Sequence, residues 1–389
     1  MIAPLIKKIV FLTLLLTTIN YSFGQSIPLS KTAKISVLTC GTGNESYSLF
    51  GHTAIRVADT LQHIDVVYNY GAFDFGTPNF VLKFIKGDLQ YFIVANSYAD
   101  FIYSYNYEKR AVYEQELEIS DVTKQQLFDN LNKALQSEER YYTYKFIDKN
   151  CTSMVVDIIN KTVNATVISK KTDTETTYRS ILYPYFDNHF YEKLGTSIIF
   201  GKKVEAFGTK IFLPFELHKA LKMARFENHP LVKKETTLLA FEPETPHSWW
   251  NNAYTYLCIL AFILAIRKKS VDFIYLATLS VLGLFFIGTG FYSLHKELEY
   301  NYNILLFNPA LMGVLYFQYT KNKKWLNHLL HFNLLCLAVY LMILINKAHL
   351  LLVLPMLLTT AVILVQLRRR VSSENKLSQN LKPKKTLAS

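Results

Sequence analysis

Asp148-Lys149-Asn150-Cys151-Thr152-Ser153-Met154-Val155-Val156-Asp157-Ile158-Ile159 is the stretch on which the reading of this chain turns. Asn150 suits a helix N-cap, and Val155, Ile158 and Ile159 recur at the spacing of one buried helix face, so a helix is expected to open at Cys151. A cysteine at that point meets unpaired backbone N–H groups and the positive end of the macrodipole, and both favour its thiolate. Well before it, Phe50-Gly51-His52-Thr53-Ala54-Ile55-Arg56-Val57 reads as a strand in which small residues flank His52. A histidine able to take the thiol proton completes the pattern of a nucleophile with its base. A third group should orient the imidazole. Asn69, in Val67-Tyr68-Asn69-Tyr70-Gly71, is the candidate, with Asp65 and Asp74 competing. The plainer alternatives are a structural His52, an Asn69 that only serves a turn, and a Cys40–Cys151 disulfide in an oxidising compartment.

Around this pair the exported half reads as α+β. Lys34–Cys40, Thr53–Asp59, Asp65–Tyr70, Leu89–Ala95 and Arg110–Ile119 are rich in β-branched and aromatic residues and are expected as strands. Turns at Gly71, Gly76-Thr77-Pro78 and Gly87-Asp88 separate them. Ser120 or Asp121 caps a helix bearing Leu127, Leu131 and Leu135, and Glu216–Phe226 has a helical face of Leu217, Leu221 and Ala224. The turn Cys40-Gly41-Thr42-Gly43-Asn44 could line the cleft; no Gly-Lys-Ser/Thr follows, so it is not a phosphate loop. An oxyanion hole is expected from the N–H groups of Cys151 and a neighbour at the helix start.

The second half is apolar. Stretches near Ala253–Ile266, Val271–Phe291, Ile304–Tyr319, Trp325–Ile345 and Leu350–Leu367 are expected as five transmembrane helices, the first and third short for a span of ~20 residues. Basic runs at Arg267-Lys268-Lys269, at Lys321, Lys323 and Lys324, and at Arg368-Arg369-Arg370 follow the first, third and fifth stretches, which puts those loops in the cytoplasm. Much of the formal charge of +12 lies in these runs, so it reads as membrane topology and not as a nucleic-acid surface. Lys7 and Lys8, the apolar run after them and Ser22-Phe23-Gly24 read as a secretory signal. The expected plan is a signal peptide at 1–24, a periplasmic domain at 25–245, a membrane domain at 246–370 and a basic, disordered cytoplasmic tail at 371–389. No metal-ligand spacing is present among the four cysteines and ten histidines.

Three segments carry a family resemblance: Thr39-Cys40-Gly41-Thr42-Gly43 with Tyr47-Ser48-Leu49-Phe50-Gly51-His52, then Val67-Tyr68-Asn69-Tyr70-Gly71-Ala72-Phe73-Asp74-Phe75, then Asp148-Lys149-Asn150-Cys151-Thr152. Together with the polar loop His295, Asn301-Tyr302-Asn303 and Asn308-Pro309, they resemble the Lnb family of lipoprotein N-acyltransferases. Thr42 stands where that pattern has a proline. The order of histidine then cysteine is similar to the circularly permuted papain-like (NlpC/P60-like) group.

The resemblance implies a permuted papain-like exported domain followed by an all-α five-helix transmembrane domain in a bacterial inner membrane. It implies a ping-pong acyltransferase that uses no cofactor. Cys151 would take an acyl chain from a phospholipid as a thioester, with His52 as base and Asn69 as orienter, and pass it to the α-amine of a diacylglyceryl-cysteine lipoprotein. Tyr47, Ser48, Asn150, His295, Asn301 and Asn303 are the implied substrate-binding residues; for His295, Asn301 and Asn303 the plainer alternative is helix capping and backbone satisfaction near the interface. The competing readings are a membrane-anchored thiol hydrolase of cell-wall peptides or lipid esters, and a non-catalytic envelope scaffold.

Overall fold

The computed structural model describes residues 27–242, 248–266 and 268–380. The expected signal peptide, the boundary near residue 245 and the end of the basic tail lie outside the described residues. Seven strands form one antiparallel sheet: β1 (Lys34–Cys40), β2 (His52–Asp59), β3 (Ile64–Ala72), β4 (Gln90–Ser97), β5 (Val112–Leu117), β6 (Tyr141–Thr143) and, at the far edge, β9 (Val232–Leu239). Their order is β6-β4-β3-β2-β1-β5-β9, while β7 (Arg225–Phe226) and β8 (His229–Pro230) pair apart. The helices of this half are α1 (Phe80–Lys86), α2 (Tyr98–Tyr107), α3 (Asp121–Gln136), α4 (Cys151–Thr162), α5 (Tyr178–Leu182), α6 (Phe190–Ile199) and α7 (Pro214–Met223).

Side chains alternate across the sheet with a period of two, and both faces are covered. Ile35, Val37, Ile55, Val57, Tyr68, Tyr70 and Ile93 pack with Leu127 and Leu131 of α3, Val155 and Ile159 of α4, and Leu217 and Leu221 of α7. Leu38, Cys40, Ala54 and Val67 fill the opposite face with Phe101 of α2. The five expected strands are present with small shifts at their ends, and Ser120 caps α3.

Five apolar helices follow: α8 (Ala253–Ile266), α9 (Lys269–Tyr292), α10 (Ala310–Tyr319), α11 (Lys323–Leu344) and α12 (Leu350–Asn380). Among the described residues three are long and apolar enough to cross a membrane, namely α9, α11 and the Leu350–Ser373 part of α12. The expectation of a continuous third stretch over 304–319 is corrected. Residues Tyr302–Leu305 form a 3-10 turn, and Pro309, which has no N–H and disfavours helix in the residue before it, separates that turn from the ten residues of α10. The break also meets α9 closely: a Cβ added at Gly283 would lie 1.7 Å from the Phe307 carbonyl oxygen. The last helix continues past Arg370 to Asn380, where a disordered tail was expected to have begun.

The two halves are joined by a buried polar seam at the ends of the apolar helices away from the basic loops. Leu194 of α6 packs in one cluster with Tyr256, Leu279, Leu306 and Tyr340. Asn303 is fully buried, donates to the carbonyls of Ser197 and Ile198, and accepts from Tyr340 Oη at 2.6 Å. Glu205 accepts from Arg179 at 2.6 Å and from Tyr302 at 2.9 Å, and pairs with Lys347 at 3.1 Å.

Candidate active site

Three elements meet at the site. In β2 and β3, Ala54 lies opposite Asn69. His52, two residues before Ala54, therefore projects from the same face as Asn69, as diagonal neighbours do. The His52 Nε2 to Asn69 Oδ1 distance is 3.2 Å. The Asn69 amide is itself fixed, because its Nδ2 donates to Val67 O at 3.3 Å and to Asn96 Oδ1 at 3.2 Å. With Nδ2 engaged, Oδ1 faces the imidazole, so Nε2 carries the proton and Nδ1 is left as the basic nitrogen. Asn96, on β4, is a participant that sequence reading missed, since only the strand register brings it across from β3.

Cys151 opens α4 as expected, with Asn150 as its N-cap in a reciprocal capping box with Ser153. Asn150 Oδ1 accepts from Thr152 N at 2.9 Å and Ser153 N at 3.0 Å, and Nδ2 donates to the carbonyls of Phe146 and Phe212, both at 2.8 Å. Two expectations change here. Asn150 is buried with its amide fully engaged, so it builds the loop before Cys151 and has no atom left for substrate. The neighbouring N–H groups of the first turn are taken by the cap, so an oxyanion cannot use them.

Electrostatics at the sulfur favour the thiolate. Burial pushes the Cys151 thiol up, but the charge and hydrogen bond of the His52 imidazole outweigh it, helped by the Thr53 backbone N–H and the Thr152 hydroxyl, and the thiol sits below its ordinary value. Thr152 is anchored in turn on Thr53, with 3.1 Å between the hydroxyls. Cys40, across the ladder from His52, behaves oppositely: burial raises its thiol to about 12. Both cysteines are free thiols, so the Cys40–Cys151 bridge is absent.

The floor of the site is Gly71, at φ +102°, where the pairing of β3 with β4 slips by one residue. A Cβ there would sit 3.6 Å from the Cys151 Cβ and 3.9 Å from Tyr142 Oη. Tyr142 is buried and its hydroxyl has no hydrogen-bond partner among the described residues. A buried hydroxyl without a partner beside a thiol can donate to a group bound between them, and sequence reading missed it because β6 is only three residues long.

The other expected substrate residues stand elsewhere. Tyr47 is exposed, whereas Ser48 is buried and donates to Glu45 O. Asn301 and Asn303 belong to the seam, where Asn301 Nδ2 donates to the carbonyls of Ile198 and Ile199. His295 Nε2 lies 2.9 Å from Phe84 O, and burial lowers its pKa, so it is a neutral donor to that carbonyl. The structure gives all three a joining role between the halves, with their side chains spent on backbone carbonyls and not on a substrate. The glycine turn borders a cavity of about 650 Å³ with Arg110 and Tyr185, and His52, Asn69 and Cys151 do not line it. Among the described residues no cluster of His, Cys, Asp or Glu could hold a metal ion.

A buried carboxylate links the site to the membrane half. Glu297, buried in the outer loop after α9, accepts from Ile147 N at 3.3 Å and pairs with Lys203 at 3.2 Å. Lys203 also pairs with Asp148. The loop leading to Cys151 is thus held from both halves of the chain.

No curated protein and no solved structure matches the chain. Residues 25–183 match the family model described as the Lnb N-terminal periplasmic domain, and His52, Asn69 and Cys151 all fall inside that match. Residues 25–183 are thus similar to the Lnb N-terminal periplasmic domain, and with three helices able to cross a membrane the chain is a membrane protein whose N-terminal domain is periplasmic.

Proposed function

We propose that the protein is a lipoprotein N-acyltransferase that carries a fatty acyl group on Cys151. The observation that supports it most is the line Cys151, His52, Asn69: a thiol lowered by an imidazole whose far nitrogen is held by a fixed amide. The thiolate attacks the ester carbonyl of a phospholipid. Tyr142 Oη and the Cys151 N–H are the donors proposed for the oxyanion. The C–O bond breaks, the leaving alkoxide takes the His52 proton, and a thioester and a lysophospholipid result. Neutral His52 then accepts a proton from the α-amine of a diacylated lipoprotein as that amine attacks, and the C–S bond breaks to return the thiolate. A membrane-bound acyl donor fits a compartment without ATP or acyl-CoA.

We also propose that the sheet with its cysteine helix is a permuted papain-like fold, that the domains divide near residue 245, and that α8 to α12 make five crossings with the basic loops in the cytoplasm. The deciding experiment incubates the purified full-length protein with a defined phospholipid and a diacylated lipopeptide and weighs the products. Triacylated peptide and lysophospholipid in equal amounts, both lost in Cys151→Ala, are expected. Free fatty acid with unmodified peptide would make the protein a hydrolase and end this reading.

A further inference from the structure

Helix α1 is hard to account for within the protein alone. It has seven residues, Phe80–Lys86, and none of them is buried. A helix so short does not hold itself in water and needs packing or capping from outside. Its last carbonyls, which have no intrahelical partner, are capped from the membrane half. The Ser293 hydroxyl donates to Ile85 O at 2.8 Å, Leu294 N to Lys86 O at 2.7 Å, and the His295 ring contacts Phe84 O at 2.9 Å. Those three donors follow directly on the end of α9 at Tyr292. The helix is therefore fixed at the height where a candidate membrane span ends.

That height carries an aromatic belt. Phe291 is 91% exposed, and Trp249, Tyr254, Tyr292 and Tyr300 are exposed at the same ends of the apolar helices. Aromatic side chains gather at this level because their rings suit the boundary between headgroups and acyl chains. On α1 the uncovered residues are equally apolar: Val81 and Leu82 are 64% and 67% exposed, with Phe84 beside them, and Phe75 just before the helix is 72% exposed. Contiguous exposed apolar surface beside a span indicates contact with lipid. Lys83 in the last turn complements an anionic headgroup layer, whereas Lys86 is paired with Asp88.

The patch also leads to the site. Phe75 and Phe80 have ring centroids 5.1 Å apart, Phe73 lies 4.9 Å from Phe75 and 5.2 Å from Tyr91, and Tyr91 lies 6.4 Å from Tyr142. Tyr142 and Cys151 face each other across Gly71. We propose that Phe75, Val81, Leu82 and Phe84 form a lip immersed in the periplasmic leaflet of the membrane that α9 enters, and that acyl chains reach Cys151 from that leaflet along the aromatic run. The occupant of the patch is lipid, continuous with the lipid around α9. The acyl route rests on the acyltransferase reading, whereas the immersion does not.

The test places the photocrosslinker p-benzoylphenylalanine at Leu82 of the full-length protein in its native membrane, with Leu61 as the control. Leu61 is 67% exposed in the turn after β2, at the opposite end of that strand from His52. A lipid adduct at 82 and none at 61 is expected. A crosslink from 82 to a second copy or to another protein, or no adduct at all, overturns the proposal. In parallel, Leu82→Asp in lipid vesicles should lower acyl transfer about tenfold, the order expected when one large apolar side chain loses its burial. Alkylation of Cys151 by iodoacetamide should be unchanged, showing an intact site. Unaltered transfer would remove the acyl route, and a lipid adduct in a protein that transfers no acyl group would leave the lip standing while the acyltransferase reading fell.

Discussion

Replacing Asn69 with alanine removes one hydrogen bond from the proposed machinery and leaves the rest in place. In the thiolate–imidazolium pair that the proposed mechanism uses, Nε2–H is a charged donor to Asn69 Oδ1 across 3.2 Å. Hydrogen bonds to charged groups contribute about 1.5–3 kcal/mol, and a length at the upper edge of the normal range argues for the lower figure. A loss of about 1.5 kcal/mol is a rate reduction of about tenfold. Asn96→Ala frees the Asn69 Nδ2 without touching the imidazole, so it should cost less, about threefold for about 0.7 kcal/mol. The assay is the initial rate of lipopeptide acylation, read by mass, in protein reconstituted with one phospholipid. The pH profile adds a second readout, because an unoriented imidazole lowers the thiolate fraction and shifts the acid limb upward. Should Asn69→Ala run at the wild-type rate, or fail as completely as His52→Ala, the amide is not an orienting group and the reasoning is refuted.

Other outcomes follow from the same geometry. His52→Ala leaves burial as the main influence on the Cys151 thiol, so the pH midpoint of its iodoacetamide alkylation should rise; an unmoved midpoint would separate the two residues. Asn150→Ala removes a cap and leaves the carbonyls of Phe146 and Phe212 without their donor, costing about 3 kcal/mol in a denaturation experiment on the detergent-solubilised protein; a change under about 1 kcal/mol would contradict the network. Gly71→Val forces a branched side chain at φ +102° into the space between Cys151 and Tyr142, and should block alkylation of Cys151 more strongly than it lowers the melting temperature. Tyr142→Phe keeps the ring and loses the hydroxyl, and should reduce turnover by about 10²-fold with little effect on KM; an equal fall in binding and turnover would take the hydroxyl out of the oxyanion site.

Local rules made part of this molecule readable. Asn150 before an apolar helical face announced both the cap and the helix start, because a cap is an interaction between a side chain and the next few backbone groups. The central strands were legible for the same reason, since Ile35 and Val37, or Ile55 and Val57, alternate over a buried face. What stayed hidden depends on distant partners. Strand β9 carries Lys233-Lys234-Glu235 at an exposed sheet edge and has no apolar alternation to reveal it. Helix α2 is rich in tyrosine and phenylalanine, which favour strands, and is settled by packing of Phe101 on the sheet. The polar loop with His295, Asn301 and Asn303 looked like a binding surface because polar groups near a membrane are costly unless used. Their use is the seam between the halves, and the partners that satisfy them lie some hundred to two hundred residues away. Tyr142 and Asn96 joined the site only through strand register.

Glu297 ties assembly to reactivity. The carboxylate that steadies the approach to the nucleophile is synthesised long after the nucleophile itself, and it arrives only when the outer loop behind α9 has settled. Until then the segment before Cys151 lacks one of its anchors. A truncated ectodomain would lack the same anchor, and under the proposed mechanism the thiol would be fully held only in a molecule already seated in its membrane.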